Sequence, residues 1–193
     1  MSSTRLLVAS VAVAIALSSA PRAEAQDVDY LVLATSKTST MEKEMNAAAA
    51  TGYRFGGVMG GETAFGGNEV LVIMTRAAGA PAERFKYKLL AATKTSTMQR
   101  EMQDAGDVGY EYQGQTVFES MFGGREVVVI LERDKQAPAK AWEYKLLATS
   151  KTSTMQKELT MAGEFGYQYV GVTVAQTALG GREVVVITRR PAK

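Results

Sequence analysis

A five-residue stretch, Lys-Thr-Ser-Thr-Met, occurs three times in this chain, at Lys37–Met41, Lys94–Met98 and Lys151–Met155, at a constant interval of 57 residues. With Tyr30, Tyr87 and Tyr144 as equivalent starts, the three copies align without an insertion, and the linker prolines Pro81 and Pro138 keep the spacing. A unit this short cannot bury its own apolar surface, so a chain built from it must stack its copies into a shared core.

Each copy reads the same way. Tyr30–Ala34, Tyr87–Ala91 and Tyr144–Ala148 are short apolar runs with strand character, extended upstream by Phe85 and Trp142. Ser39, Ser96 and Ser153 each stand three residues before Glu42, Gln99 or Gln156, the S-x-x-E/Q spacing of a capping box, so a helix is expected to start there. Its apolar stripe is Met98, Met102 and Ala105, or Met155, Leu159 and Ala162, with Gln99, Arg100, Glu101, Gln103 and Asp104 expected in water. Gly52, Gly109 and Gly166 mark its end, Gly106 and Gly163 being read as helical because Ala49 takes that position in the first copy.

A period-two segment follows, and its tyrosines Tyr53, Tyr110, Tyr112, Tyr167 and Tyr169 are expected to share a face with Gly57, Gly114 and Gly171 as core packing. The glycine pairs Gly66-Gly67, Gly123-Gly124 and Gly180-Gly181 suit hairpins. The last strand, Val127–Leu131 in the second copy, is apolar on both faces and must be buried on both. The unit is therefore β-α-β-β with strand order 1-3-2, all antiparallel. The chain is expected to be α+β, with repeat 1 at 26–76, repeat 2 at 84–133 and repeat 3 at 141–190, joined by linkers Ala77–Glu83 and Asp134–Lys140. Together they predict one compact domain with pseudo-threefold symmetry, sheets inward and helices outward, the alternative being three separate beads on a string.

Residues 1–25 stand apart. Arg5, the apolar run Leu6–Leu17 and Ala23-Glu24-Ala25 have the form of a secretory signal peptide cleaved after Ala25, which predicts a periplasmic or secreted protein. No later stretch has the length of a transmembrane segment. The chain has no cysteine and no histidine, which excludes thiol catalysis and the usual zinc sites. Setting aside Arg5, Arg22 and Glu24 leaves 20 basic and 19 acidic residues, a balance with no footprint for nucleic acid.

The repeated Lys37-Thr38-Ser39, Lys94-Thr95-Ser96 and Lys151-Thr152-Ser153 carry more hydroxyl and charge than a cap needs. At a helix N-terminus, where amides point outward, that combination suits phosphate, sulfate or a carboxylate. The competing reading is shared descent, with the lysines solvated. Glu69, Glu126 and Glu183 read as solvated strand-entry residues rather than a cation ring. No nucleophile stands with an acid–base partner, so no enzyme and no cofactor is expected.

Met102–Tyr112 and Leu159–Tyr167 resemble the L-N-x-x-G-x-x-G-W-E pattern of a small bacterial family known as domain of unknown function 4177, as do the opening Tyr-Lys-Leu-Leu and the last apolar strand. Tyrosine stands here where that family has tryptophan, and Ala49 replaces the first glycine. The resemblance implies a β-α-β-β fold and transfers no function. The expectation is an exported, non-catalytic repeat protein acting as a binding or structural module of the envelope or exterior. Anion binding at the lysine-hydroxyl helix starts is the alternative. The expected partners are a small anion or an envelope protein, with self-association through apolar strands such as Val127–Leu131.

Overall fold

The computed structural model describes residues 27–63, 67–119, 125–138, 140–176 and 181–193. The expected signal peptide at residues 1–25 and the expected hairpin residues Gly66, Gly123, Gly124 and Gly180 lie outside them. The fold is α+β, three tandem β-α-β-β repeats. Unit 1 contains β1 (Val28–Thr35), α1 (Thr38–Ala50), β2 (Arg54–Thr63) and β3 (Gly67–Ala77). Unit 2 contains β4 (Phe85–Ala92), α2 (Thr95–Asp107), β5 (Glu111–Glu119) and β6 (Arg125–Asp134). Unit 3 contains β7 (Trp142–Thr149), α3 (Thr152–Glu164), β8 (Gln168–Gln176) and β9 (Arg182–Pro191). Each unit forms a three-stranded antiparallel sheet with its last strand in the middle, in the expected 1-3-2 order.

Helix ends follow from single residues. Gly52, Gly109 and Gly166 adopt φ of 93, 87 and 80°, the left-handed region that only glycine enters cheaply. The tyrosine that follows each glycine donates its N–H to Ala48, Ala105 or Ala162, and the glycine donates to Ala49, Gly106 or Gly163. This pair of bonds is the Schellman motif, which satisfies carbonyls the helix leaves open. The helix starts depart from expectation. Lys37, Lys94 and Lys151 occupy the N-cap and make no side-chain cap bond, so Ser39, Ser96 and Ser153 lie inside the first turn. The S-x-x-E/Q spacing therefore does not form a capping box here.

The middle strand of each sheet explains why the units cannot stand alone. Val127, Val129 and Leu131 of β6 face α2, together with Met98, Met102 and Ala105. Val128 and Ile130 face the other way and join a core made by Met41, Met45, Val70, Val72 and Met74 of unit 1. In β9, Val185 and Ile187 join the α2 core and Val186 faces α3. The front, helix-bearing side of one sheet and the back of the next thus enclose a common core, and the sheets face inward on one another. This packing operation occurs twice, between units 1 and 2 and between units 2 and 3. The major contacts between elements join unit 1 to unit 2 and unit 2 to unit 3, and none joins unit 3 to unit 1, so the three units do not close into the expected threefold ring.

The period-two expectation for the second strand fails at one point. The register of β2, β5 and β8 slips between Phe55 and Gly57, Tyr112 and Gly114, and Tyr169 and Gly171. One extra residue at a bulge moves all that follows to the other face. The aromatic ring consequently does not lie over the glycine of its own strand. Phe55 faces forward onto Gly114 of the next unit, and Tyr112 onto Gly171.

Candidate functional site: the faces between and beyond the repeats

Side chains of one helix reach the open edge of the next sheet. Asn46 on α1 donates through Nδ2 to the Tyr87 carbonyl at 3.0 Å and accepts from the Tyr87 N–H at 2.9 Å, while the Leu89 N–H donates to Glu42 Oε2 at 2.8 Å. One repeat later, Gln103 bonds the Trp142 carbonyl and the Tyr144 N–H, and Gln99 bonds the Tyr144 carbonyl and the Leu146 N–H. Gln99 and Gln103 were expected in water; they instead serve backbone groups of β7, an edge strand that would otherwise offer them to another chain. Edge strands β4 and β7 are sealed by the preceding helix.

The opening tyrosine anchors each interface. Tyr87 is 1% exposed, and its hydroxyl accepts the Phe55 N–H at 2.8 Å and donates to Glu132 Oε2 at 2.7 Å. Burial, the adjacent Glu132 charge and the bond to it hold this phenol neutral, well above the usual tyrosine range. Arg54 of unit 1 grips the buried Glu132, Nη2 to Oε1 at 2.8 Å, and its half-exposed guanidinium lies 4.5 Å from the Phe85 ring centre.

At the next interface every position recurs with the charges exchanged. Tyr144 accepts the Tyr112 N–H at 2.7 Å, and Glu111 stands where Arg54 was and Arg189 where Glu132 was, paired at 2.5 Å. The neighbour of the tyrosine is now a donor, so the Tyr144 hydroxyl turns to the Tyr110 carbonyl at 3.1 Å. Burial pushes its pKa up to about 12. Aligned by repeat, the chain reads Arg54, Glu111, Gln168 against Thr75, Glu132, Arg189. That covariation is visible in the sequence once the copies are compared column by column, and sequence reasoning missed it.

Two faces of this kind have no counterpart. On unit 1, Tyr30 is 70% exposed and Val32 52%, although their repeat equivalents Tyr87 and Leu89 are buried. On unit 3, Tyr169 is 60% exposed, with Val172, Val174 and Val184 beside it, contrary to the expectation that the repeat tyrosines are core. Tyr110 is buried as expected, Tyr112 packs against the same core, and Arg76 and Arg190 cover the rings of Tyr53 and Tyr167 at 4.5 and 4.6 Å.

The lysine-hydroxyl segments do not converge on one site, although Lys151 and Thr152 of the third line the groove beside Met155 and Val184 on the unit 3 face. Lys37, Lys94 and Lys151 are exposed, each at its own helix start. Thr95 donates to Glu183 Oε1 at 2.6 Å, which places a carboxylate beside the second start. A cleft of about 730 Å³ lies over the linker of units 2 and 3 between Arg54, Glu132, Asp134 and Trp142. Each carboxylate of the cleft is already paired, Glu132 with Arg54, Asp134 with Arg84 at 2.7 Å and Glu111 with Arg189, while Arg133 and Lys140 also line it. Among the described residues no group of three carboxylates is placed to hold a metal ion, and no helix is long and apolar enough to cross a membrane.

Compared with protein-family models, curated proteins and solved structures, the chain matches none.

Proposed function

We propose that this is an exported, non-catalytic structural module that works by protein contact through its two end faces. The observation that carries the reading is where the exposed large apolar side chains fall. Among the described residues they belong to unit 1 (Val28, Tyr30, Val32, Met59) or unit 3 (Met161, Phe165, Tyr169, Val172, Val174, Val184), with Val108 alone in the middle unit. Apolar patches concentrated in this way mark interaction surfaces. Export rests on the Arg5, Leu6–Leu17 and Ala23-Glu24-Ala25 pattern. Kinship with domain of unknown function 4177 rests on the helix-end glycines and the Tyr-Lys-Leu-Leu strand. The test is a photo-reactive residue at position 30, 169 or, as control, 100, activated in producing cells. Protein adducts at 30 and 169 and none at 100 support the reading; no adduct at either end refutes it.

A second reading, anion binding, draws on the three helix starts that no side chain caps beside exposed Lys37, Lys94 and Lys151. Thermal melts in phosphate or sulfate against chloride at matched ionic strength decide it. A rise in Tm that disappears in the Lys37→Met, Lys94→Met, Lys151→Met triple variant supports it.

A further inference from the structure

The two uncovered faces are the two halves of one interface. We propose that the β1 face of one molecule docks on the α3 and β8 face of a second copy of this chain, head to tail, repeating between molecules the packing that joins the units within one. This rests on the reading of the end faces as the working surfaces, and it names their partner.

The fit is residue by residue. Tyr30 and Val32 hold the repeat positions of Tyr87 and Leu89, and of Tyr144 and Leu146, which enter the preceding unit. The receiving side is vacant in the matching place. A Cβ on Gly106 would come within 2.5 Å of the Trp142 carbonyl and 2.9 Å of the Tyr144 ring, whereas Gly163, its equivalent on α3, has nothing within 4 Å. A groove of about 200 Å³ opens between Met155, Leu159 and Val184, where Val32 of a second copy would follow. The reciprocal contact is missing in the same way. Phe55 covers Gly114 and Tyr112 covers Gly171, but Gly57 has nothing within 4 Å and Tyr169 is the ring left exposed.

Polar groups agree. Gln156 stands where Gln99 seals the next edge strand and its Nε2 meets Thr160 Oγ1 at 3.4 Å, while Thr160, in the place of Gln103, donates its hydroxyl to the Gln156 carbonyl of its own helix at 2.9 Å. The columns that hold ion pairs inside the chain end in Gln168 and Thr75, so docking two copies leaves no unpaired charge in those two columns. The interface is heterologous, each face being used once. Assembly therefore continues past a pair into a filament unless the rotation closes it into a ring.

Sedimentation velocity over a dilution series of the protein recovered after export tests this, with Tyr30→Asp to block one face and Gly163→Leu to block the other. Both positions are exposed in a single chain, and circular dichroism checks that each variant folds. The wild type is expected to gain mass with concentration, each variant alone to stay monomeric, and an equal mixture to give a one-to-one dimer and nothing larger. A wild type monomeric throughout, assembly by either variant alone, or a mixture that remains monomeric overturns the proposal. The photo-crosslinking separates the two claims. Adducts only with a different protein overturn the second copy as partner and leave the end faces as working surfaces, while no adduct overturns both.

Discussion

Exchanging Arg54 and Glu132 tests whether the two internal interfaces are the same device with opposite polarity. Arg54→Ala leaves the Glu132 carboxylate, 4% exposed, with the Tyr87 hydroxyl as its remaining side-chain partner. Removing one member of a buried pair costs about 3–5 kcal/mol, and the lower end applies because the Arg54 side chain is 53% exposed and water can enter the space it vacates. For a chain of this length, about 3 kcal/mol corresponds to a fall in Tm of roughly 6–12 °C. Glu132→Arg sets two guanidinium groups together and should cost at least as much. The double variant Arg54→Glu, Glu132→Arg writes into the first interface the arrangement that Glu111 and Arg189 already make in the second. Its Tyr87 hydroxyl would turn to the Tyr53 carbonyl, as Tyr144 turns to Tyr110. The expected loss is within about 1 kcal/mol of wild type, a coupling of several kcal/mol between the two sites. Urea unfolding followed by circular dichroism measures the wild type, Arg54→Glu, Glu132→Arg and the double variant, with fluorescence of Trp142, the single tryptophan, reporting the second interface separately. A double variant as unstable as the summed single variants would refute the equivalence.

Glycine at position 106 should be required and at 163 dispensable. Gly106→Ala forces its Cβ into the Trp142 carbonyl and should cost about 1–3 kcal/mol, while Gly163→Ala meets open space and should gain up to about 1 kcal/mol of helix propensity in urea melts of the monomer. Replacing Ser39, Ser96 and Ser153 together by alanine should change stability by less than about 0.5 kcal/mol per site, because none of them is an N-cap; a loss of about 1 kcal/mol per site would restore the capping box. Burial raises the pKa values of Tyr87, Tyr112 and Tyr144. Their contribution is fully present below the unfolded-state value of about 10 and is lost as pH rises towards about 12, so the urea midpoint should fall across that window. On the acid side, Arg84 bonded to Asp134 and Arg190 bonded to Glu143 hold those carboxyls below their usual range. Their contribution is present above the ordinary carboxyl pKa and declines as pH falls through the lowered values, so the melting temperature should drop below about pH 4.

The unit was legible because each of its signals is local. The left-handed glycine before a tyrosine ends the helix wherever it occurs, and a strand apolar on both faces, such as Val127–Leu131, needs two cores in any fold. The S-x-x-E/Q spacing misled because it is the same sequence whether Gln99 folds back on its own N-cap or reaches forward to β7; only the neighbouring unit decides. The bulge after Phe55, Tyr112 and Tyr169 leaves no compositional mark, and one extra residue there reversed the face assigned to Gly57, Gly114 and Gly171. The exchanged ion pairs were present in the repeat alignment as opposite charges in two columns. The end faces were not legible from residue type at all: Tyr30, Tyr87 and Tyr144 are the same residue, and position in the array alone leaves the first exposed.

Site-resolved hydrogen exchange on the diluted, monomeric protein tests most directly the claim that each helix seals the edge of the next unit and that the first edge is left open. The Tyr87, Leu89, Tyr144 and Leu146 amides, bonded to side chains of the preceding helix, should be protected almost as well as the β6 core. The Tyr30 and Val32 amides, which the same register points at the open edge, should exchange orders of magnitude faster and slow down only as concentration rises. Equal protection of Tyr30 and Tyr87 at every dilution, or fast exchange at both, would contradict the account.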